Sequence, residues 1–96
     1  MIIRIVRMTF HPESVDAFIN IFNQSKDQIL GMEGCLSLEL WRDLQKSNVF
    51  VTHSHWESED DLNKYRGTEF FKEIWGQTKT LFTEKPIAFS VKRVEI

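Results

Sequence analysis

Residues 48–79 read NVFVTHSHWESEDDLNKYRGTEFFKEIWGQTK, and this stretch decides the fold. It opens with Val49, Phe50, Val51 and Thr52, β-branched or aromatic residues that suit a pleated strand. No Gly or Pro interrupts the pattern before Trp56. A helix follows from Ser58 to Arg66: the Ser58 hydroxyl can cap its first turn, and Asp60 and Asp61 sit where the helix dipole favours negative charge. Gly67 separates it from a second helical segment, Thr68–Phe82, whose apolar face includes Phe70, Phe71, Ile74, Trp75 and Leu81. Along the strand, Phe50, Thr52, Ser54 and Trp56 share one face, while Val49, Val51, His53 and His55 share the other. A tryptophan thus ends a strand just where a helix begins. An aromatic so placed either floors a small-molecule pocket or finishes a core, and periodicity leaves both open.

Upstream, Cys35–Trp41 (CLSLELW) alternates as a strand, with Leu36, Leu38 and Leu40 on one face and Cys35, Ser37, Glu39 and Trp41 on the other. The polar turn 43–48 joins it to the next strand as an antiparallel hairpin. Before it, a helix starts at Pro12, where a missing N–H is harmless, and stops at Gly31. Val15, Phe18, Ile19, Phe22, Lys26 and Ile29 form its stripe, the lysine lying along the apolar surface by its stem. The first strand, Ile2–Phe10, puts Ile2, Arg4, Val6, Met8 and Phe10 on one face and Ile3, Ile5, Arg7 and Thr9 on the other. Downstream, Pro86 precedes a last strand, Ala88–Val94.

The order is β-α-β-β-α-β with the second helix split. It predicts an α+β fold, a ferredoxin-like sandwich in one domain over residues 1–96, with a four-stranded antiparallel sheet and helices on one face. The uncovered face would expose residues such as Ile3, Ile5, Val49 and Val51, or their partners on the opposite parity. A homodimer joined through that open sheet face, a dimeric α/β barrel, would bury them. His53 and His55 would lie in the interface. They are the only close histidine pair, and no carboxylate or cysteine stands at ligand spacing, so a metal site is not expected.

Composition narrows the function classes. A net charge of −2 without a basic block leaves no electrostatic footprint for nucleic acid. No apolar run approaches the roughly 20 residues of a membrane helix. A strand that begins at the N-terminus argues against a signal peptide, and a single cysteine, Cys35, fits a cytoplasmic protein. Eight Phe, three Trp and one Tyr are more aromatic surface than one small core needs, which points to a pocket, an interface, or both.

The segments GMEGCLSLEL and HSHWESEDDLNKYRGTEFFKEIW, set in this architecture, resemble the antibiotic biosynthesis monooxygenase (ABM) family over nearly the whole chain. The resemblance implies dimeric α/β barrels with a pocket between the sheet and helices of each protomer. Its members include quinone-forming oxygenases that use no metal or flavin, heme-degrading enzymes, and proteins with no assigned reaction. In the cofactor-free oxygenases a phenol or dihydroquinone is deprotonated and itself passes an electron to dioxygen. Trp56 falls on the family's strand-end tryptophan. Thr52 falls where cofactor-free members carry an amide, for which one hydroxyl is no full replacement.

Trp56 and Thr52 are therefore the expected catalytic residues. Ser54, Tyr65, Trp75 and Phe71 are the expected substrate contacts, and no cofactor is expected. The heme-degrading branch has its iron-ligating histidine after the Phe-Lys pair, but Glu73–Gln77 holds none here. The pocket asparagine of that branch falls near Arg7, so heme chemistry is disfavoured. The leading expectation is a cofactor-free monooxygenase for an aromatic or quinol-type molecule. The alternative is a non-catalytic dimer that binds a small hydrophobic ligand.

Overall fold

The computed structural model describes residues 1–96. The chain runs β1 (Ile2–Thr9), a 3-10 turn (Pro12–Ser14), α1 (Val15–Leu30), β2 (Cys35–Arg42), β3 (Val49–Trp56), α2 (Glu59–Arg66), α3 (Glu69–Lys79) and β4 (Ile87–Val91). The sheet order is β2-β3-β1-β4, and every neighbouring pair is antiparallel. β1 and β2 are separated by β3, so both crossovers are split and the fold is the expected ferredoxin-like α+β sandwich. No helix is long and apolar enough to cross a membrane.

Register decides what faces the helices. Ile2 pairs with Trp56, Arg4 with Ser54 and Val6 with Thr52; on the other edge, Arg4 pairs with Ser90 and Val6 with Ala88. Residues directly opposite share a face. The alternate set, Ile3, Ile5, His53, His55, Phe89 and Val91, turns away from the helices. Trp41, Ile87, Phe89 and Val91 are each 44–53% exposed there, an apolar face with nothing over it in the single chain.

The core occupies one end of the layer between sheet and helices. Phe10 is fully buried and stacks on Phe18 with ring centroids 4.2 Å apart; Phe50 and Met8 complete the cluster. Phe82 closes it through an isolated bridge to Phe10, with ring centroids 5.3 Å apart. That bridge explains two boundary differences. The first strand ends at Thr9 rather than Phe10, and α3 stops at Lys79, because Leu81 and Phe82 leave the helix to reach the strand end. The last strand is also shorter than expected, Ile87–Val91, since its pairing with β1 ends at Ile3.

A β-bulge corrects the reading of β2. Cys35 pairs with Trp56 and Ser37 with the adjacent His55, leaving Leu36 as the extra residue. Cys35 is therefore opposite Trp56 rather than on the outer face with Glu39 and Trp41, and Leu36 is half exposed. Just before the bulge, Gly34 adopts φ +82°. Its carbonyl accepts from the Glu57 N–H at 2.8 Å, and a Cβ added there would collide with the Asp61 side chain. Only glycine meets both demands at no steric cost.

Candidate functional site

Beyond the phenylalanine core, towards Trp56, the sheet and helices leave a cavity of about 370 Å³. Its floor is the inner face of the sheet: Arg4, Val6 and Met8 from β1, Leu38 from β2, Thr52, Ser54 and Trp56 from β3, and Ala88 from β4. Phe18, Phe22, Ser25 and Ile29 of α1 wall one side; Leu62, Tyr65 and Arg66 of α2, with Phe71, Ile74, Trp75 and Thr78 of α3, wall the other. Trp56, Thr52, Ser54, Tyr65, Trp75 and Phe71, singled out from the sequence, all line this one cavity.

Local structure holds the aromatic wall in place. Trp56 is 1% exposed, and its Nε1–H donates to Ser54 Oγ at 3.0 Å, so the indole has its buried donor satisfied and its ring plane fixed. The register that makes Trp56 end β3 also brings Ser58 to the start of α2. Ser58 Oγ accepts from the Asp61 N–H and in turn donates to the Asp61 carboxylate, both at 3.1 Å. That cap starts α2 so that Leu62, Tyr65 and Arg66, spaced i, i+3, i+4, face inwards together. Tyr65 lies over Trp56, with centroids 5.1 Å apart and planes 21° from parallel.

Thr68 then links α2 to α3. Its hydroxyl donates to the Tyr65 carbonyl at 2.7 Å and accepts from the Phe71 N–H at 3.1 Å. Phe71 consequently meets Tyr65 edge-on at 5.1 Å, and Trp75 follows Phe71 at 6.1 Å in a nearly parallel plane. An aromatic chain, Trp56–Tyr65–Phe71–Trp75, runs along one side of the cavity.

The polar groups are few. Thr52 and Ser54 present hydroxyls from the floor. Burial first, and then the nearby Cys35 thiol, push the Tyr65 phenol up to about 12, so it is a proton donor throughout the neutral range. Burial also pushes the Cys35 thiol up, which disfavours the thiolate. Arg4 is half-buried, and its guanidinium is pulled below its ordinary value by burial and then by the charge of Arg66.

Several lining residues escaped the sequence reading. Arg4 shares the parity of Val6 and Met8, and a charge on an otherwise apolar inner face was the available signal. Arg66 carried a fainter one, its i+4 spacing from Leu62. On α1, Ser25 rather than Lys26 faces the cavity. Its hydroxyl donates to the Ile21 carbonyl at 2.8 Å, so a serine is buried without an orphaned group, while Lys26 is exposed.

His53 and His55 lie on the far face, ring centroids 5.0 Å apart, with Trp41 stacked on His53 at 4.5 Å. His53 Nδ1 is buried without a hydrogen bond; Glu39 Oε1 is 4.0 Å away. No three His, Cys, Asp or Glu side chains converge as a metal-binding group.

The family model described as antibiotic biosynthesis monooxygenase matches residues 1–75, which includes every cavity residue through Trp75. A conserved protein from Methanosarcina mazei Go1 superposes with a TM-score of 0.91 at 21% identity, over 98% of this chain and 94% of that one. A solved antibiotic biosynthesis monooxygenase gives 0.92 at 18% identity, over 99% and 100%. A Mycobacterium tuberculosis protein gives 0.89 at 17%, over 99% and 96%. At these identities the structural likeness speaks for the fold alone. No curated protein matches the sequence.

Proposed function

We propose, from the premise that this chain belongs to the antibiotic biosynthesis monooxygenase family, that it is a cytoplasmic, homodimeric, cofactor-free monooxygenase of an aromatic or quinol-type molecule. The observation that carries this reading is the cavity itself. It is walled by aromatic rings, offers hydroxyls from Thr52, Ser54 and Tyr65, and is floored by a tryptophan locked in one orientation.

On an anthrone-type substrate the reaction that such a site can promote is R₂CH₂ + O₂ → R₂C=O + H₂O; on a quinol the same sequence at a ring C–H gives a hydroxyquinone and water. The ionised substrate gives one electron to dioxygen, and the resulting radical and superoxide join as a peroxide anion, which takes up a proton equivalent to the one lost on ionisation and becomes a hydroperoxide. Loss of water then leaves the carbonyl. In this scheme Tyr65, backed by Trp56, sets the plane of the substrate ring, and Thr52 and Ser54 offer hydrogen bonds to its oxygen. The neutral Tyr65 phenol donates to charge that develops there, and the apolar walls exclude water. The lining contains no carboxylate, histidine or lysine to act as a base. The substrate therefore has to be acidic enough to ionise by itself, and the rate should rise with pH through the substrate's own pKa.

Oxygen uptake over a panel of anthrones and naphthohydroquinones tests the proposal. We expect turnover above the buffer rate and a loss of roughly tenfold or more in kcat/KM for Trp56→Phe, which removes the indole hydrogen bond and part of the stacking surface. Uptake no faster than buffer across the panel would count against it.

The missing base favours a second reading, a dimer that binds an aromatic ligand without turning it over. Its mark in the same assays would be ligand-induced thermal stabilisation with no oxygen consumed.

A further inference from the structure

The only charged residues lining the cavity are two arginines, Arg4 and Arg66. Neither belongs to any of the chain's ion pairs. A guanidinium has five N–H donors, and the one side-chain hydrogen bond these two make is from Arg4 Nη1 to Ser90 Oγ at 3.2 Å. Arg66 stands at the end of α2, where the helix dipole welcomes a cation, so its charge has a local structural reason. Arg4 has no such reason. It projects from a central strand of the sheet, on the face that packs against the helices, and pairs in register with two serines.

Even partial burial of a cation there without a counter-ion carries a cost, and a second cation nearby adds to it. The depressed guanidinium of Arg4 is the sign of that tension. A neutral aromatic ligand would make matters worse, because it would strip water from both guanidiniums and return no acceptor. An anionic group resolves it. A carboxylate suits the place better than a phosphate dianion, since it is planar, accepts two parallel N–H bonds, and is less costly to desolvate beside apolar walls.

We propose that the cavity selects aromatic molecules bearing a carboxylate, the ring lying against Tyr65, which Trp56 backs, and the carboxylate held between Arg4 and Arg66. This rests on reading the cavity as the ligand site, and it adds the substrate class. Arg66 is exposed, so it meets the carboxylate first and steers it inwards; Arg4 is the deeper partner.

Calorimetric titration at neutral pH with two near-isosteric probes tests this: 6-hydroxy-2-naphthoate and the neutral 6-hydroxy-2-naphthamide. Both carry the same phenol, so ionisation of that phenol alone would give them equal affinities. The naphthoate should bind at least about tenfold tighter, a difference of about 1.4 kcal/mol, and added salt should narrow the gap. In Arg66→Gln and in Arg4→Gln the ratio should fall towards one; Arg66→Lys should keep part of it. Because Arg66 is exposed at a helix end, its variants test the idea even where Arg4→Gln disturbs packing. Equal affinities in the wild type, or a preference unchanged in both glutamine variants, would overturn the carboxylate assignment and leave the cavity standing as a ligand site. No binding of either probe would overturn both.

Discussion

Tyr65 is the residue at which site chemistry and stability meet. Burial disfavours the phenolate, and its phenol is held at about 12 against an ordinary value of 10.0. For an acid raised in the folded state, the stabilisation is fully present below the unfolded pKa, near 10, and is lost as pH rises from there through about 12. Two pKa units correspond to about 2–3 kcal/mol. Because Tyr65 is the chain's single tyrosine, absorbance at 295 nm reports it alone. The folded protein should show no phenolate step near pH 10, whereas the urea-unfolded chain should titrate there; a step near 10 in the folded state would show an exposed phenol. The residue scale also marks what the sequence could disclose about the site. Strand parity put Thr52, Ser54 and Trp56 on one face, and Arg4 stood on the matching face of β1 in plain view. Parity says which way a side chain points but not whether it finds a counter-ion. The two unpaired guanidiniums emerged only in three dimensions.

At the scale of elements, the junction of β3 with α2 depends on the turn before β2. Gly34 holds its φ of +82°, accepts from Glu57 and leaves room for Asp61, the residue that answers the Ser58 cap. Gly34→Ala should therefore destabilise the fold by about 2 kcal/mol or more, from the left-handed backbone and the collision with Asp61 together. It should also loosen the stacking of Tyr65 on Trp56. Urea unfolding and near-UV circular dichroism would show both; an unchanged midpoint would mean that the turn relaxes freely. Most elements were legible because their signals were local. β-branched and aromatic residues mark β3, Ser58 and Thr68 cap the helices, and Gly67 separates them. The misread parts were decided by pairing at a distance. The bulge at Cys35–Ser37 turned one residue over, and the Phe10–Phe82 bridge trimmed both β1 and α3.

For the molecule as a whole, the outer sheet face is the feature a single chain leaves unexplained. Trp41, Ile87, Phe89 and Val91 are each close to half exposed, and Ile3, Ile5 and Val51 lie among them in register, whereas Val49, expected with them, is fully buried in the single chain. A second copy set against this face would bury them together with His53 and His55, consistent with the homodimer proposed above. Phe89→Asp places a charge in the middle of that patch, on the sheet face opposite the cavity. Sedimentation should show a dimer for wild type and a folded monomer, or a much weaker dimer, for Phe89→Asp; an unaltered dimer would place the interface elsewhere.

Reaction with ¹⁸O₂ tests the central claim, aromatic oxygenation in the Trp56 cavity, most directly. Anthrone and its 2-carboxylate would be the substrates, and product mass and hydrogen peroxide would be read together. We predict enzyme-dependent conversion above the buffer rate, one ¹⁸O atom in the new carbonyl, one oxygen consumed per substrate, and no accumulating peroxide. Unlabelled product with stoichiometric peroxide, or conversion no faster than buffer, would contradict it.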